Sequence, residues 1–368
     1  MIVSTMDAGP WGGSEELWFH SARRWAAQGH PVTAAVVAQP SPASQLDRLR
    51  REGVRIVEYG APSAAMRVLY RPLPQLRYRW LTSLQAPRAL LSCGSNWSVR
   101  AAEITELWRS RGTPYAIVAH SASPWYWPSD SVAARMRAAY RGARASFFVS
   151  EANLAITRDQ IGDAIPNASV IRNPFALDYA EPLPWPAEGE GLRLACVARL
   201  DPGIKGHDLL IAALAQPVWR DRPVTLTIFG DGDRAELTRS LIERHGVSRT
   251  VRLGGHGSPR DIWRDHHALV LMSRTEAMPI VVIEAMLAGR PCFVTDVGGL
   301  TEVVTEGVSG FVATAPTAAA VGQALERAWE RRADWQSMGK YAAERIRRLV
   351  PPDPVGDFLA LFDAVFAA

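Results

Sequence analysis

Short apolar runs alternate along this chain with longer stretches in which apolar positions return every three or four residues. The runs at 2–5, 32–38, 54–57, 89–92, 115–119 and 146–149 have strand length. The stretch 14–28 places Leu17, Trp18, Ala22 and Trp25 on one face and stops before Gly29, which predicts a helix. Strands that alternate with helices imply parallel βαβ units. Between Asn173 and Pro186 the pattern breaks at Pro174, Pro182, Pro184 and Pro186, which reads as a linker. It then restarts, with strands predicted at 192–198, 225–229, 250–253, 268–272 and 291–295 and helices at 207–215, 234–245 and 279–288. The fold class is therefore α/β, with two doubly wound, Rossmann-like parallel-sheet domains at 1–175 and 188–350. Ligands of open parallel sheets gather at the carboxyl ends of the strands, so the two domains are expected to face a central cleft. An amphipathic helix at 354–368, after Pro351-Pro352, is expected to pack back on the first domain.

One position breaks the apolar pattern informatively. In Pro279-Ile-Val-Val-Ile-Glu284-Ala-Met-Leu-Ala-Gly289 every residue between the ends is apolar except Glu284. Pro279 suits the first helical position and Gly289 the stop. A helix apolar on all faces is buried, and a carboxylate stays there only if it is paired or binds something. Eight positions upstream lies Glu276, read as the more exposed acid, in the polar stretch Ser273-Arg274-Thr275-Glu276 at a strand end.

Composition narrows the class. The chain has 368 residues and a net charge of only +4, with no charge blocks, repeats or membrane-length apolar run. Together with the plain N-terminus Met1-Ile-Val-Ser-Thr-Met, this leads to the expectation of a cytoplasmic protein, with peripheral contact to the inner membrane as a further option. Cys93, Cys196 and Cys292 are widely spaced, fit no metal or disulfide pattern, and suit a reducing compartment. Lysine occurs only at 205 and 340, which limits any lysine chemistry to two positions.

Several loops carry candidate chemistry. Arg199-Leu-Asp-Pro-Gly-Ile-Lys205-Gly206-His207 joins a strand to a helix and sets two cations at a helix start, a setting for a diphosphate. Its bland alternative is a basic surface loop. Phe229-Gly230-Asp231-Gly232-Asp233-Arg-Ala235 matches a dinucleotide fingerprint, but the next strand ends Leu253-Gly254-Gly255 without the acid that fingerprint needs. Asp231 and Asp233 imitate a metal-binding pair, yet a solvated turn capping the helix explains them more simply. Gly9-Pro10-Trp11-Gly12-Gly13-Ser14 joins the first strand to the first helix. Ser14 is expected as N-cap, and the glycines permit close backbone approach to a ligand. His120 follows a strand and precedes Trp125-Tyr126-Trp127, an aromatic group suited to sugar rings or, alternatively, to a core patch. Arginines and aromatics alternate through 66–81. That stretch is compatible with a membrane or lipid-carrier contact and equally with a solvated helix. No nucleic-acid module stands out.

In order and spacing, these pieces resemble the retaining glycosyltransferases of family 4, which have GT-B architecture. The resemblance rests on Gly12-Gly13, His120, Arg199 with Lys205-Gly206, Gly230-Asp-Gly232, Glu276-x7-Glu284-Ala-Met-Leu-Ala-Gly-Arg-Pro, Val297-Gly298-Gly299-Leu-Thr-Glu302 and Gly307-Val-Ser-Gly310-Phe311-Val312. It is strong over the second domain and weak over the first. It implies that Glu284 holds the ribose hydroxyls of a nucleotide sugar and that Glu276 contacts the transferred sugar. It further implies that Arg199 and Lys205 bind the diphosphate, helped by amides around Met278, Pro279 and Ile280. Gly12 and Gly13 would admit donor and acceptor, His120 would line the reaction centre, and Gly230 and Gly254 would border the nucleotide. The family's Gly-Phe-Gly after the first glutamate is replaced here by Ala277-Met278-Pro279, which leaves the donor sugar open.

The expected reaction moves a sugar from a UDP- or GDP-sugar to a hydroxyl of a saccharide or lipid-linked acceptor, in polysaccharide or lipopolysaccharide assembly. Cations that stabilise the leaving diphosphate reduce any need for metal, so no metal or other cofactor is expected. The competing readings are a secondary-metabolite glycosyltransferase, a nucleotide-sugar epimerase and a non-catalytic sugar-nucleotide binder. A pyridoxal-phosphate phosphorylase is disfavoured, since neither lysine has a suitable setting.

Overall fold

The computed structural model describes residues 1–6, 11–38, 43–60, 78, 81, 86–187, 189 and 191–367. The chain divides into two compact units, Met1–Pro174 with Asp353–Ala368, and Phe175–Pro352. The stretch 66–81 falls outside the described residues except for Tyr78 and Leu81, both buried. Among the described residues no helix is long and apolar enough to cross a membrane.

The first unit is built on a seven-stranded sheet: β1 Ile2–Ser4, β2 Thr33–Val37, β3 Arg55–Tyr59, β4 Ala89–Cys93, β5 Tyr115–Ala119, β6 Ala145–Phe148 and β7 Ala168–Val170. Its order is β3-β2-β1-β4-β5-β6-β7, and every pairing is parallel. The order reverses beside β1, where β2 and β4 flank it, so the loops after β1 and β4 open at the switch point. Strands β4 and β5 are buried along their whole length, as expected where helices cover both faces.

The helix Pro354–Ala367 packs against this sheet and its first helix, Gly13–Ala27. Phe358 meets Phe147 edge-on at 5.3 Å between ring centroids, and Phe362 meets Trp25 at 5.0 Å. Arg24 grips Asp353 through two bonds of 2.6 and 2.7 Å, and Arg88 donates to Asp363 at 2.6 Å. Apolar burial supplies most of this docking energy, because exposed ion pairs contribute little.

The second unit carries a six-stranded parallel sheet: β8 Leu192–Val197, β9 Val224–Phe229, β10 Val251–Gly255, β11 Ala268–Leu271, β12 Cys292–Thr295 and β13 Gly310–Ala313. Its order is β10-β9-β8-β11-β12-β13, with the switch between β8 and its neighbours β9 and β11. Cys93, Cys196 and Cys292 are all free thiols buried in strands. Burial pushes the Cys93 and Cys196 thiols up to about 12, so they behave as small apolar residues.

The stretch from Phe175 to Pro186 is packed on the second unit through Arg290. That guanidinium is 1% exposed and donates to the carbonyls of Trp263 at 2.9 Å, Ala288 at 2.9 Å and Pro184 at 2.6 Å. It also lies 5.4 Å from the Trp185 ring centroid. Burial alone lowers its pKa to about 10, still well above neutrality, so carbonyl oxygens solvate a buried cation.

Candidate functional site

In the second unit the candidate residues collect at the carboxyl ends of β8 and β11, which are neighbours in the sheet. Lys205 ends a single helical turn, Pro202–Lys205, after β8. Glu276 lies in the loop after β11. Lys205 Nζ donates to Glu276 Oε1 at 2.6 Å, and the buried Ser273 Oγ donates to the same oxygen at 2.7 Å. The Glu276 side chain is only 8% exposed. Glu276 is half-buried and Glu284 buried, so Glu276 is the more exposed of the two acids, as expected, even though the ion pair folds its carboxylate inward. Ser273 was visible in the polar stretch before Glu276, but nothing local in the sequence gave it this partner.

Gly206 allows the approach. It takes φ +67, and a Cβ there would stand 1.8 Å from the Met272 carbonyl oxygen. Any side chain pushes the Lys205 turn off the end of β11. Gly206→Ala is expected to lower stability by more than the ~1–2 kcal/mol of left-handed strain alone, because the backbone clash adds to it. Thermal denaturation checks this, and an unchanged Tm with full activity refutes it.

A second clamp was missed by the sequence reading. Arg274 holds Asp208 by two bonds of 2.8 and 2.7 Å and also donates to the Pro202 carbonyl at 2.8 Å. Burial opposes ionisation of Asp208, but the Arg274 bonds outweigh it and leave its pKa lowered. The loop after β11 is tied from its other side as well. Thr295 Oγ1 donates to the Ser273 carbonyl at 2.6 Å, and the Gly299 amide donates to the Ala277 carbonyl at 2.6 Å. Glu276 thus stands on a loop held on both flanks.

Arg199 follows β8, with its side chain 38% exposed and Nη2 at 4.0 Å from Asp201. Asp201 is itself paired with Arg234 at 2.7 Å. Gly230 and Gly232 press this loop into place: the Leu200 amide donates to the Asp231 carbonyl at 2.9 Å, and a Cβ on Gly230 would stand 2.0 Å from the Ala198 oxygen. At Gly254 a Cβ would meet the Phe229 ring at 2.7 Å. The space at these two glycines is taken by the protein itself. Asp231 accepts its neighbour Gly232's amide at 2.8 Å rather than capping the helix, which begins later, at Ala235.

Glu284 lies in the helix Ile280–Leu287 and is 7% exposed. Its Oε1 accepts the Ala176 amide N–H at 3.0 Å. Pro279 is the N-cap of this helix rather than its first residue, because its ψ of 128° is still extended. Its carbonyl accepts the Val282 amide at 3.1 Å. Amides in the first turn have no intrahelical partner, and Ile280 and Val281 occupy that turn. The Met278 side chain is buried, so that residue can offer a ligand only its backbone. His207 is fully buried, and neither ring nitrogen has a partner among the described residues. Burial and the Lys205 charge lower its pKa to about 4, so it adds no charge here at neutral pH.

In the first unit, Gly12 and Gly13 follow β1 and His120 follows β5. Gly12 caps the helix Gly13–Ala27, and Glu15 closes the cap by accepting the Gly12 amide at 3.1 Å. The expected N-cap, Ser14, instead lies inside the helix and donates to Glu15 at 2.9 Å. Burial raises the pKa of Glu15 against these bonds. His120 is 5% exposed, and its Nε2 lies 3.1 Å from Ser92 Oγ. Burial lowers its pKa to about 4 against an opposing contact with Asn173, so the ring is neutral at physiological pH. Trp125, Tyr126 and Trp127 are 69, 70 and 61% exposed, which excludes a core patch. Their loop is pinned from beneath by the buried Gln160, whose Nε2 donates to the carbonyls of Ser123 at 2.7 Å and Tyr126 at 3.0 Å.

Two parallel-sheet, Rossmann-like units with these loops define a GT-B protein, and solved structures of that fold match across nearly the whole chain. HepE of Anabaena, solved in complex with UDP, superimposes with a TM-score of 0.76 at 17% identity, covering 99% of this chain and 98% of that one. The lipopolysaccharide outer core galactosyltransferase WaaB gives a TM-score of 0.70 at 18% identity, covering 99% of each chain. In sequence, residues 184–345 match the family of glycosyl transferases group 1. The glycogen synthase of Mycobacterium tuberculosis is 33% identical over 54% of this chain and 55% of its own length. The D-inositol 3-phosphate glycosyltransferase of Kribbella flavida is 32% identical over 43% of this chain and 40% of its own. The chain thus spans about half the length, or less, of these two curated relatives.

Proposed function

We propose that this protein is a retaining glycosyltransferase of family 4 that moves a sugar from a nucleotide-diphosphate donor to a hydroxyl of a saccharide or lipid-linked acceptor. The observation that carries the proposal is the second unit's acid pair. Glu284 is a carboxylate buried in an otherwise apolar helix, and Glu276 is joined to Lys205 at the adjoining strand ends. In this reading Glu284 accepts the ribose hydroxyls, and the first-turn amides of Ile280 and Val281 face the diphosphate. Arg199 and Lys205 take up its charge as the glycosidic bond breaks. Glu276 orients the transferred sugar. Acceptor binding falls to the first unit, where His120 is a neutral hydrogen-bonding group and the pinned aromatic loop offers flat faces to pyranose rings.

UDP is the favoured nucleotide, because HepE is solved with UDP and with UDP-glucose. The WaaB likeness and the inositol glycosyltransferase relative support a cell-surface glycan or glycolipid as the setting. Incubation with a panel of nucleotide sugars, with and without acceptors, tests the reaction. Acceptor-dependent release of UDP is expected. Acceptor-free isomerisation of the donor, or binding without turnover, overturns the proposal.

The protein's own cations are assigned to the leaving group, so the reaction is expected to proceed without metal. Turnover in excess EDTA should stay within about twofold of the untreated rate. A loss of two orders of magnitude, restored by Mg²⁺ or Mn²⁺, removes Arg199 and Lys205 from that role.

A further inference from the structure

A cavity lies in the first unit at the opposite end of its sheet from Ser92 and His120. Its volume is about 780 Å³, within the range of small-ligand sites. Its wall follows the amino ends of the strands. Arg55 opens β3, Arg88 precedes β4 and Arg144 precedes β6. These strands span six neighbouring positions, β3-β2-β1-β4-β5-β6, so five spacings of ~4.8 Å make the trough about 24 Å long at the backbone. It is separate from the proposed transfer chemistry, which belongs at strand carboxyl ends.

The lining is basic and aromatic. Among the described residues no aspartate or glutamate lines the cavity. Arg88 donates to Asp363 at 2.6 Å. Arg55 and Arg144 are exposed and have no acid partner among the described residues. The floor is a run of rings in which Trp25 meets Phe362 at 5.0 Å and Phe362 meets Phe366 at 4.6 Å. The Arg88 guanidinium lies 5.5 Å from the Phe362 centroid. Trp25 is 6% exposed, yet its indole N–H has no hydrogen-bond partner among the described residues. A buried donor of this kind is costly unless a ligand supplies the acceptor.

We infer that this trough binds an elongated anionic amphiphile, with a phosphate monoester held by the arginines and a hydrocarbon chain laid against Phe366, the half-buried ring of a run whose other members, Trp25 and Phe362, are buried. Arginine forks match phosphate oxygens, and the ring floor is the apolar counterpart of the chain. Neither part suffices by itself: orthophosphate leaves the half-buried Phe366 uncovered, and an uncharged chain leaves two arginines unpaired.

The test titrates the full chain with dodecyl phosphate below its micelle concentration, using calorimetry, beside orthophosphate and zwitterionic dodecylphosphocholine. Saturable one-to-one binding of dodecyl phosphate is expected, with the two controls at least about tenfold weaker. The double variant Arg55→Ser/Arg144→Ser changes two exposed side chains, so it should fold as the parent does. It is expected to weaken binding at least about tenfold while UDP binding stays unchanged. Phe366→Ser is expected to weaken dodecyl phosphate but not orthophosphate. Sedimentation with vesicles containing phosphatidic acid, a phosphate monoester, against phosphatidylcholine vesicles separates the ligand's sources. Monomer binding accompanied by vesicle capture points to a lipid headgroup, and monomer binding alone to a free phosphorylated ligand. No saturable monomer binding, or equal binding by parent and double variant, overturns the site.

Discussion

Replacing Glu276 by alanine is expected to lower kcat by about two to three orders of magnitude while changing the donor KM little, the scale of removing one preorganised polar group that acts on the transition state. The side chain is 8% exposed and shares a 2.6 Å ion pair with Lys205. Its loss frees a cation that is itself only 20% exposed, which strengthens the pull on a diphosphate. Donor affinity therefore holds or improves as turnover falls. Glu276→Gln keeps the shape and can still accept from Ser273, but it loses the charge on which Lys205 closes, so it should retain more turnover than the alanine variant. Steady-state rates at several UDP-sugar concentrations decide the matter. If the loss appears in KM with kcat intact, Glu276 is a binding group and its proposed role fails.

Glu284→Ala carries the second large effect, and it is the converse one. Hydrogen bonds to a charged acceptor contribute about 1.5–3 kcal/mol each, so losing two ribose hydroxyl bonds should weaken UDP binding by at least about a hundredfold. The variant also strips the partner from the Ala176 amide, which adds a stability loss of about 1–3 kcal/mol. Binding and stability are separated by Glu284→Gln, whose side-chain oxygen can still accept from Ala176. Titration of UDP by calorimetry gives the affinity, and the UDP-induced rise in Tm gives an independent reading, since a ligand that binds only the folded state stabilises it by mass action. If UDP binds both variants within about threefold of the parent, the carboxylate is structural and its proposed role fails.

The two outcomes together describe one donor read along its length, with the nucleoside end at Glu284 and the sugar end at Glu276. An acid/base couple predicts something else, namely comparable kcat losses in both variants with little change in UDP affinity. The division between binding and turnover is the discriminating measurement.

Much of this was legible in one dimension. Hydrophobic periodicity is local, so the strands and helices placed from sequence agree with the structure to within about two residues, while helices such as Val99–Ser110, Glu151–Ile161 and Trp335–Leu349 were not placed. The anomaly at Glu284 was also local, because four apolar neighbours on each side imply burial without reference to anything distant. The short edge strands β7 and β13 escaped for equally local reasons. Ala168–Val170 is three residues long and not fully buried on any of them. Gly310 hides the strand character of β13, and it is glycine because a Cβ there would stand 1.8 Å from the Cys292 oxygen. Helix starts were misread by one or two residues at Pro279 and Ser14, where the backbone rather than the residue type sets the cap.

By itself the sequence determined the alternation of strands and helices, the buried acid, and the order of glycines and cations along the second unit, since each follows from neighbours a few positions apart. Only the tertiary structure decided that Lys205, Ser273 and Glu276 share one oxygen, that Arg274 braces the Lys205 loop through Asp208, and that three arginines from separate strands line one trough. Those contacts join residues up to about ninety positions apart, and their meeting depends on sheet order and register, which local propensity does not encode.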